Sequence, residues 1–365
     1  MSDLTAGERL PMQGGFLPQR IVDWARRNLF SSVWNSILTV IVVALAALIL
    51  PPVFRWMVTH ATFWGTDRSA CTGDGACWTF IRVRFPLFIY GRYPATQYWR
   101  VDLAFVLLAA FCVPVLRDKV RHRWIWALLL LIVFPVLAGI LLWGGVFGLV
   151  SVDTSLWGGL MLDVIVSFVT VAGSLPFGIV LAFGRRSRLP VVRMLSVGYI
   201  EIWRGVPLLT VLFMSTVVFP LFLPEGVSVD RLIRAMAALV LFNAAYMAEV
   251  VRGGLQGVAS GQEEAAVSLG LHWGHVQAFV VLPQAMRIIV PGIINTVVDL
   301  FKDTTLVTII GLFDLLGSVE QALKDPAWLG FATEGYVFSA LVFFVCCFAM
   351  SAYGRSFERR LARAD

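Results

Sequence analysis

Charged residues are scarce in this chain: Asp, Glu, Lys and Arg make up 14% of its 365 residues against 59% hydrophobic ones, and the mean hydropathy is +0.82. That balance excludes an ordinary soluble domain and predicts a polytopic membrane protein. Catalytic raw material is equally thin. The four histidines, His60, His122, His272 and His275, fall in segments read as loops. No H-x-x-x-H or H-E-x-x-H spacing and no C-x-x-C pair is present, so no metal site is expected. A Walker A sequence is missing as well, which predicts that the chain does not bind ATP by itself. There is no internal repeat of the kind found in many secondary transporters. Nor is a cleavable signal peptide apparent: the first apolar run follows a long polar segment and exceeds a signal h-region, so it is expected to stay as an uncleaved anchor. The net charge of +6 does not point to nucleic acid, because the basic residues cluster at the ends of apolar blocks, where anionic lipid and the positive-inside rule explain them.

What is present is a series of apolar runs. Residues 1–32 are hydrophilic, with Arg9, Arg20, Arg26 and Arg27, and are expected on the cytoplasmic side with a short amphipathic helix around Trp24 to Phe30. Val33 to Leu50 is the first expected span, ended by Pro51-Pro52. Further spans are expected at 103–116, 124–147, 164–183, 195–223, 232–251, 288–310 and 336–353. Gly205 and Pro207 should bend the fifth. Eight crossings with both termini inside agree with basic clusters at 20–27, 117–123 (including Lys119), 185–193 and 355–363, the last holding Arg355, Arg359, Arg360 and Arg363. Tyr98, Trp99, Trp124, Trp126, Trp143 and Trp157 lie near span ends and read as an interfacial belt. Cys112, Cys346 and Cys347 sit in apolar runs and read as small packing residues.

The polar insert 51–100, within a region of three added spans at 33–154, is placed outside, although Arg55, Arg68, Arg82, Arg84, Arg92 and Arg100 face only Asp67 and Asp74 there; charge counting loses force in long loops. On that side Cys71 and Cys77 can close a small disulfide loop, and both the bonded and the free state stay open.

Charges inside spans are costly in hydrocarbon and are kept only when paired or wetted. Glu201 with Arg204 reads either as a gate or substrate contact or as an ion pair bracing a bent helix, and Glu249 with Arg252 as an interfacial pair at the end of span six. Asp299, Lys302 and Asp303 share one helical face, and with Thr304 they suit a zwitterionic substrate, which needs both an ammonium acceptor and a carboxylate donor.

The segment 256–283 lies between two apolar blocks and needs a job of its own. Glu263, Glu264, Ala265 and Ala266 favour a helix, Gly270 can take the positive φ that ends one, and Pro283 should stop a second short piece. An exposed helical hairpin on a membrane bundle suits docking into a groove on a soluble partner. Its spacing, Glu264-Ala265-Ala266, then Gly270, then Leu282-Pro283, resembles the EAA loop of ABC importer permeases, with Val280 where isoleucine is usual. Tyr199 to Pro207, Ala244 to Leu255 and Lys302 to Leu306 look like signatures of the polar amino-acid subfamily, over about 155–360; Val206 and Thr305 stand where threonine and serine are more common. The Arg26 to Ser32 stretch, the cysteine-bearing insert and the added spans look like the M-type permease subunit of general L-amino-acid importers. That resemblance implies an all-α bacterial inner-membrane protein with a five-helix core. It also implies pairing with a second, homologous permease, an ATP-binding subunit dimer that holds ATP and Mg, and a periplasmic amino-acid-binding protein. The rival reading is a transporter or channel driven by an ion gradient, with Asp299, Lys302 and Asp303 as a relay.

Overall fold

The computed structural model describes residues 17–117 and 120–361. Arg9, Asp118, Lys119 and Arg363 of the basic clusters lie outside these, as do the side chains of Arg20 and Arg360. The described chain is helical, with only two isolated β-bridges. It divides into two compact units, one of residues up to 65 with 69–79, the other of 66–68 with 80 onward.

In the first unit, helix α1 spans Leu17–Asn28, earlier than the expected Trp24 to Phe30. Ser32 caps helix α2, Val33–Phe54, by accepting from the Asn35 N–H at 3.2 Å. Pro51 and Pro52 do not end α2 but lie within its last turn. Their fixed φ fits a helix, and the π-turn that follows directly lets the chain continue past the missing N–H donors. A π-turn, Arg55–Thr59, carries the helix on. Cys71 and Cys77 are joined in a disulfide; the bridged loop is held by the Thr62–Cys77 β-bridge and by the Trp78 indole, which donates to the Met57 carbonyl at 2.8 Å.

The insert is not a polar loop throughout, because residues Trp78–Tyr90 form helix α3. Its aromatic residues decide this: Phe80 and Phe88 are buried, Phe80 against Trp328 and Phe331, Phe88 against Phe338. Arg84 pairs with Asp325. Helices α4 (Tyr98–Leu116) and α5 (Arg123–Trp143) follow. Arg100, counted above as a loop charge, is buried and donates to the Val150 carbonyl at 2.7 Å. Trp157 is likewise buried in the core rather than in an interfacial belt.

Helices α6 (Gly159–Arg185) and α9 (Arg231–Gly257) pack closely because small residues line the seam. A Cβ at Gly178 would come within 2.6 Å of Met247, and Ala244, Ala245 and Ala248 are fully buried. Between them the chain forms α7 (Pro190–Gly205) and α8 (Leu208–Phe222), bent by 100°. Pro207 forces Val206 into an extended conformation, φ −102 and ψ 136. After the short helix α10 (Ser260–Ser268) comes α11, Trp273–Ile310, far longer than the expected 288–310. Helices α12 (Leu315–Leu323) and α13 (Ala332–Leu361) complete the chain. Seven described helices are long and apolar enough to cross a membrane, and the bent pair α7–α8 makes eight if taken as one broken span.

Gly159 sits at φ +62, and a Cβ there would come within 2.5 Å of the Phe88 carbonyl oxygen. Gly159→Ala is therefore expected to lower stability by about 1–3 kcal/mol, whereas Gly139→Ala, with open space around it, gains up to about 1 kcal/mol of helix propensity. Thermal unfolding of the purified protein in detergent checks both, and an unchanged midpoint for Gly159→Ala contradicts the reading.

Candidate functional site

Three arginines converge on Glu249, near the end of α9 that leads to residues 256–283. Arg185, at the end of α6, donates from Nη1 to Oε1 at 2.7 Å, and Arg252 donates from Nε to Oε2 at 2.9 Å. Arg204, at the end of α7, reaches Oε2 at 3.9 Å and lies over the Tyr246 ring. The Glu249 side chain is only 17% exposed, and desolvation is offset by three cations. Glu201 does not pair with Arg204, as expected, but lies 3.5 Å from Arg185. Residues three apart on one helix are neighbours, yet here the helix ends of α6 and α9 offer each side chain a better partner across the bundle.

Beside this cluster opens a cavity of about 660 Å³, whose polar lining includes Arg204, Asn243, Tyr246, Thr296, Asp299 and Asp303. The bend at Val206-Pro207 forms part of its wall. The charged face read from the sequence is thus split. Asp299 and Asp303 line the cavity, whereas Lys302 does not and instead donates to Asp299 at 2.8 Å. Asp299 and Lys302 side chains are 68% and 54% exposed.

Thr304 leaves the expected face altogether. It is buried and donates from Oγ1 to Asp163 Oδ1 at 2.6 Å, while Asp163 Oδ2 accepts from the Leu315 N–H at 2.9 Å. Asp163 thereby ties the N-terminal part of α6 to the 3₁₀ end of α11, Thr304–Ile310, and to the start of α12. Next to it Asp314 accepts from Thr308 and from the Gly317 N–H at 2.8 Å; burial pushes the Asp314 carboxyl well up from its ordinary range. Neither aspartate was singled out above. An isolated acid within an otherwise apolar run was the available signal for Asp163.

The segment 256–283 forms a hairpin with one side tied down. Glu263 turns inward and accepts from Gln277 Nε2 at 2.9 Å, and Ala266 is buried against Val276 and Val281. Gly270 takes φ +80 and turns the chain. The second arm is not a separate short helix: Trp273 begins α11, and a π-helical stretch, Val276–Val281, runs straight into Leu282 and Pro283. Pro283 does not stop it, because the π-helical stretch directly before it loosens the backbone ladder where the proline lacks an N–H. Facing outward are Glu264 and Ala265, Leu269, 82% exposed, and Phe279, 71% exposed. His272 and His275 belong to this arm rather than to a loop: His272 caps its start and His275 lies in its first turn, stacked on Phe279.

The family described as "Binding-protein-dependent transport system inner membrane component" matches residues 174–363. The chain is 50% identical, over 93% of its length and 93% of the relative's, to the inner membrane amino-acid ABC transporter permease protein YhdY of Escherichia coli (strain K12). It is 35% identical, over 94% of both chains, to the glutamate/glutamine/aspartate/asparagine transport system permease protein BztC of Rhodobacter capsulatus. One solved chain, from "Crystal structure of an amino acid ABC transporter with histidines", is similar with a TM-score of 0.50 and 29% identity, over 55% of this chain and 92% of that one.

Replacing Glu249 with alanine leaves three guanidinium groups with only the more exposed Glu201 carboxylate beside Arg185. Glu249→Ala is expected to destabilise the chain by about 1–3 kcal/mol, and Asp299→Asn, at an exposed pair, by less than about 1 kcal/mol. A double variant with Arg185→Ala should lose less than the sum of the singles. Strict additivity in detergent unfolding would show that the cluster does not act as one unit.

Proposed function

The chain belongs to the inner-membrane components of binding-protein-dependent transport systems, and from that membership we propose that it is the permease subunit of an ATP-driven importer of L-amino acids with broad specificity. The observation that supports this most is full-length identity of 50% to a curated amino-acid ABC permease. The chain is not itself the enzyme: hydrolysis of ATP, with its Mg, falls to a separate ATPase dimer. A soluble amino-acid-binding protein delivers the substrate.

The hairpin 256–283 is the contact with the ATPase. Its tied side fixes the arm through Glu263 and Ala266, and its open side presents Glu264, Leu269 and Phe279 to a groove. Because the second arm is the beginning of α11, displacement of the hairpin moves the rod that also carries Asp299 and Asp303. Alternating access then consists of this rod and the bent pair α7–α8 swinging about the seam of α6 and α9.

A second, homologous permease covers the face that bears Asp299 and Lys302. In a membrane those two exposed charges require protein or water around them. The cavity beside them becomes half of a passage between the two permeases, with Asp299 and Asp303 available to an ammonium group and Arg204 to a carboxylate. Both termini lie on the cytoplasmic side, where the basic clusters put them. Of the three residues named for a gradient-driven relay, Asp299 and Asp303 line the cavity, whereas Lys302 donates to Asp299 and is not part of the wall.

Nothing lies within 4 Å of a Cβ at Gly270, so a substitution there disturbs only the φ +80 turn and the open side of the hairpin. Gly270→Asp is expected to insert and accumulate normally, at a folding cost of about 1 kcal/mol, but to abolish amino-acid-stimulated ATP hydrolysis and uptake. Near-normal ATP-driven uptake by this variant would rule out the docking role.

A further inference from the structure

Helices α7, α8 and α9 line a second, open cavity of about 660 Å³, separate in character from the polar one. Its walls are apolar side chains such as Trp203, Val211, Met214, Phe219 and Ile233. One charged residue lines it, Arg234, in the first turn of α9. Arg234 spends one N–H, from Nη1, on the Thr216 carbonyl at 2.8 Å. Its Nε–H is buried and has no hydrogen-bond partner. No carboxylate among the described residues forms an ion pair with it; Asp230, four positions back, caps α9 at Ile233 and accepts from Thr154.

An arginine with unspent donors at the rim of an apolar groove, one turn from the end of a membrane-crossing helix, needs an anion at headgroup depth. A neighbouring protein helix would have to bring a carboxylate into apolar surroundings to supply it. A lipid brings a phosphate at that depth already joined to hydrocarbon that fits the walls. We propose that this groove is a binding site for a diacyl phospholipid with an anionic headgroup. The phosphate is held by Arg234 and an acyl chain lies along Trp203, Met214 and Phe219. The site fills the concavity of the α7–α8 bend, so an occupied groove props the knee open at its set angle of 100°. Being a property of this chain's own fold, it stands or falls independently of the transport reading.

Trp203 provides the readout. The full chain, purified with whatever subunits accompany it, is titrated with dibrominated phosphatidylglycerol and, separately, dibrominated phosphatidylcholine. Quenching present in the wild type and missing in Trp203→Phe is assigned to the groove. That component is expected to saturate at about fivefold lower mole fraction of the anionic lipid than of the zwitterionic one, the worth of one cationic side chain at a membrane surface. Arg234→Ala should erase the preference, Arg234→Lys should keep most of it, and Ala237→Phe, which fills the groove from α9, should remove the Trp203 component for both lipids. Equal affinity for the two lipids in the wild type overturns the proposal, as does a preference that survives Arg234→Ala. Absence of any Trp203 component also overturns it, since a protein segment would then occupy the groove. Where Arg234→Ala fails to accumulate, the wild-type lipid comparison and Ala237→Phe still decide the outcome.

Discussion

A charge inside a membrane must be paired or wetted, and the arrangement around Glu249 is built on that requirement. Three helices, α6, α7 and α9, end in or carry a guanidinium that meets the same carboxylate. Pairing at that point fixes their relative register where apolar packing alone would let them slide. From this fixed point the bend at Pro207 turns the chain into α8, and the polar cavity opens between the knee, α9 and α11. The hairpin of 256–283 follows directly after the same end of α9, so this tied cluster adjoins the exposed Leu269 and Phe279.

The opposite end of the bundle is held by a different device. Asp163 is wholly buried and is satisfied by one hydroxyl and one backbone N–H from segments more than 140 positions away. Helix α11 therefore has one end in the hairpin and the other in this carboxylate knot. Movement of the hairpin is therefore transmitted along α11 toward Thr296, Asp299 and Asp303, which line the cavity close to the carboxylate knot.

Much of this was readable in the chain itself. Long uncharged runs located the spans, since hydrocarbon thickness sets their length. Pro207 announced the bend, and Gly270 the turn. What stayed hidden depends on which helices meet. Glu201 and Arg204 are natural neighbours on one helix, and only the approach of Arg185 from α6 separates them. Thr304 belongs by spacing with Asp303 but rotates inward, because α11 tightens into a 3₁₀ helix at that residue. Prolines misled in two places for one reason: a π-turn follows Pro51 and precedes Pro283, and the loosened ladder there lets the helix run on past a missing N–H. The helix Trp78–Tyr90 was masked by its arginines and Pro86, and it is the burial of Phe80 and Phe88 that makes it fold.

Affinity purification of the tagged chain from membranes, followed by identification of its companions and assay of ATP hydrolysis with and without amino acids, bears most directly on the proposed role. Recovery of an ATPase and a second permease, with hydrolysis raised by an amino-acid-loaded binding protein, is the predicted result. Recovery of this chain alone, still carrying amino acids down an ion gradient, would contradict it.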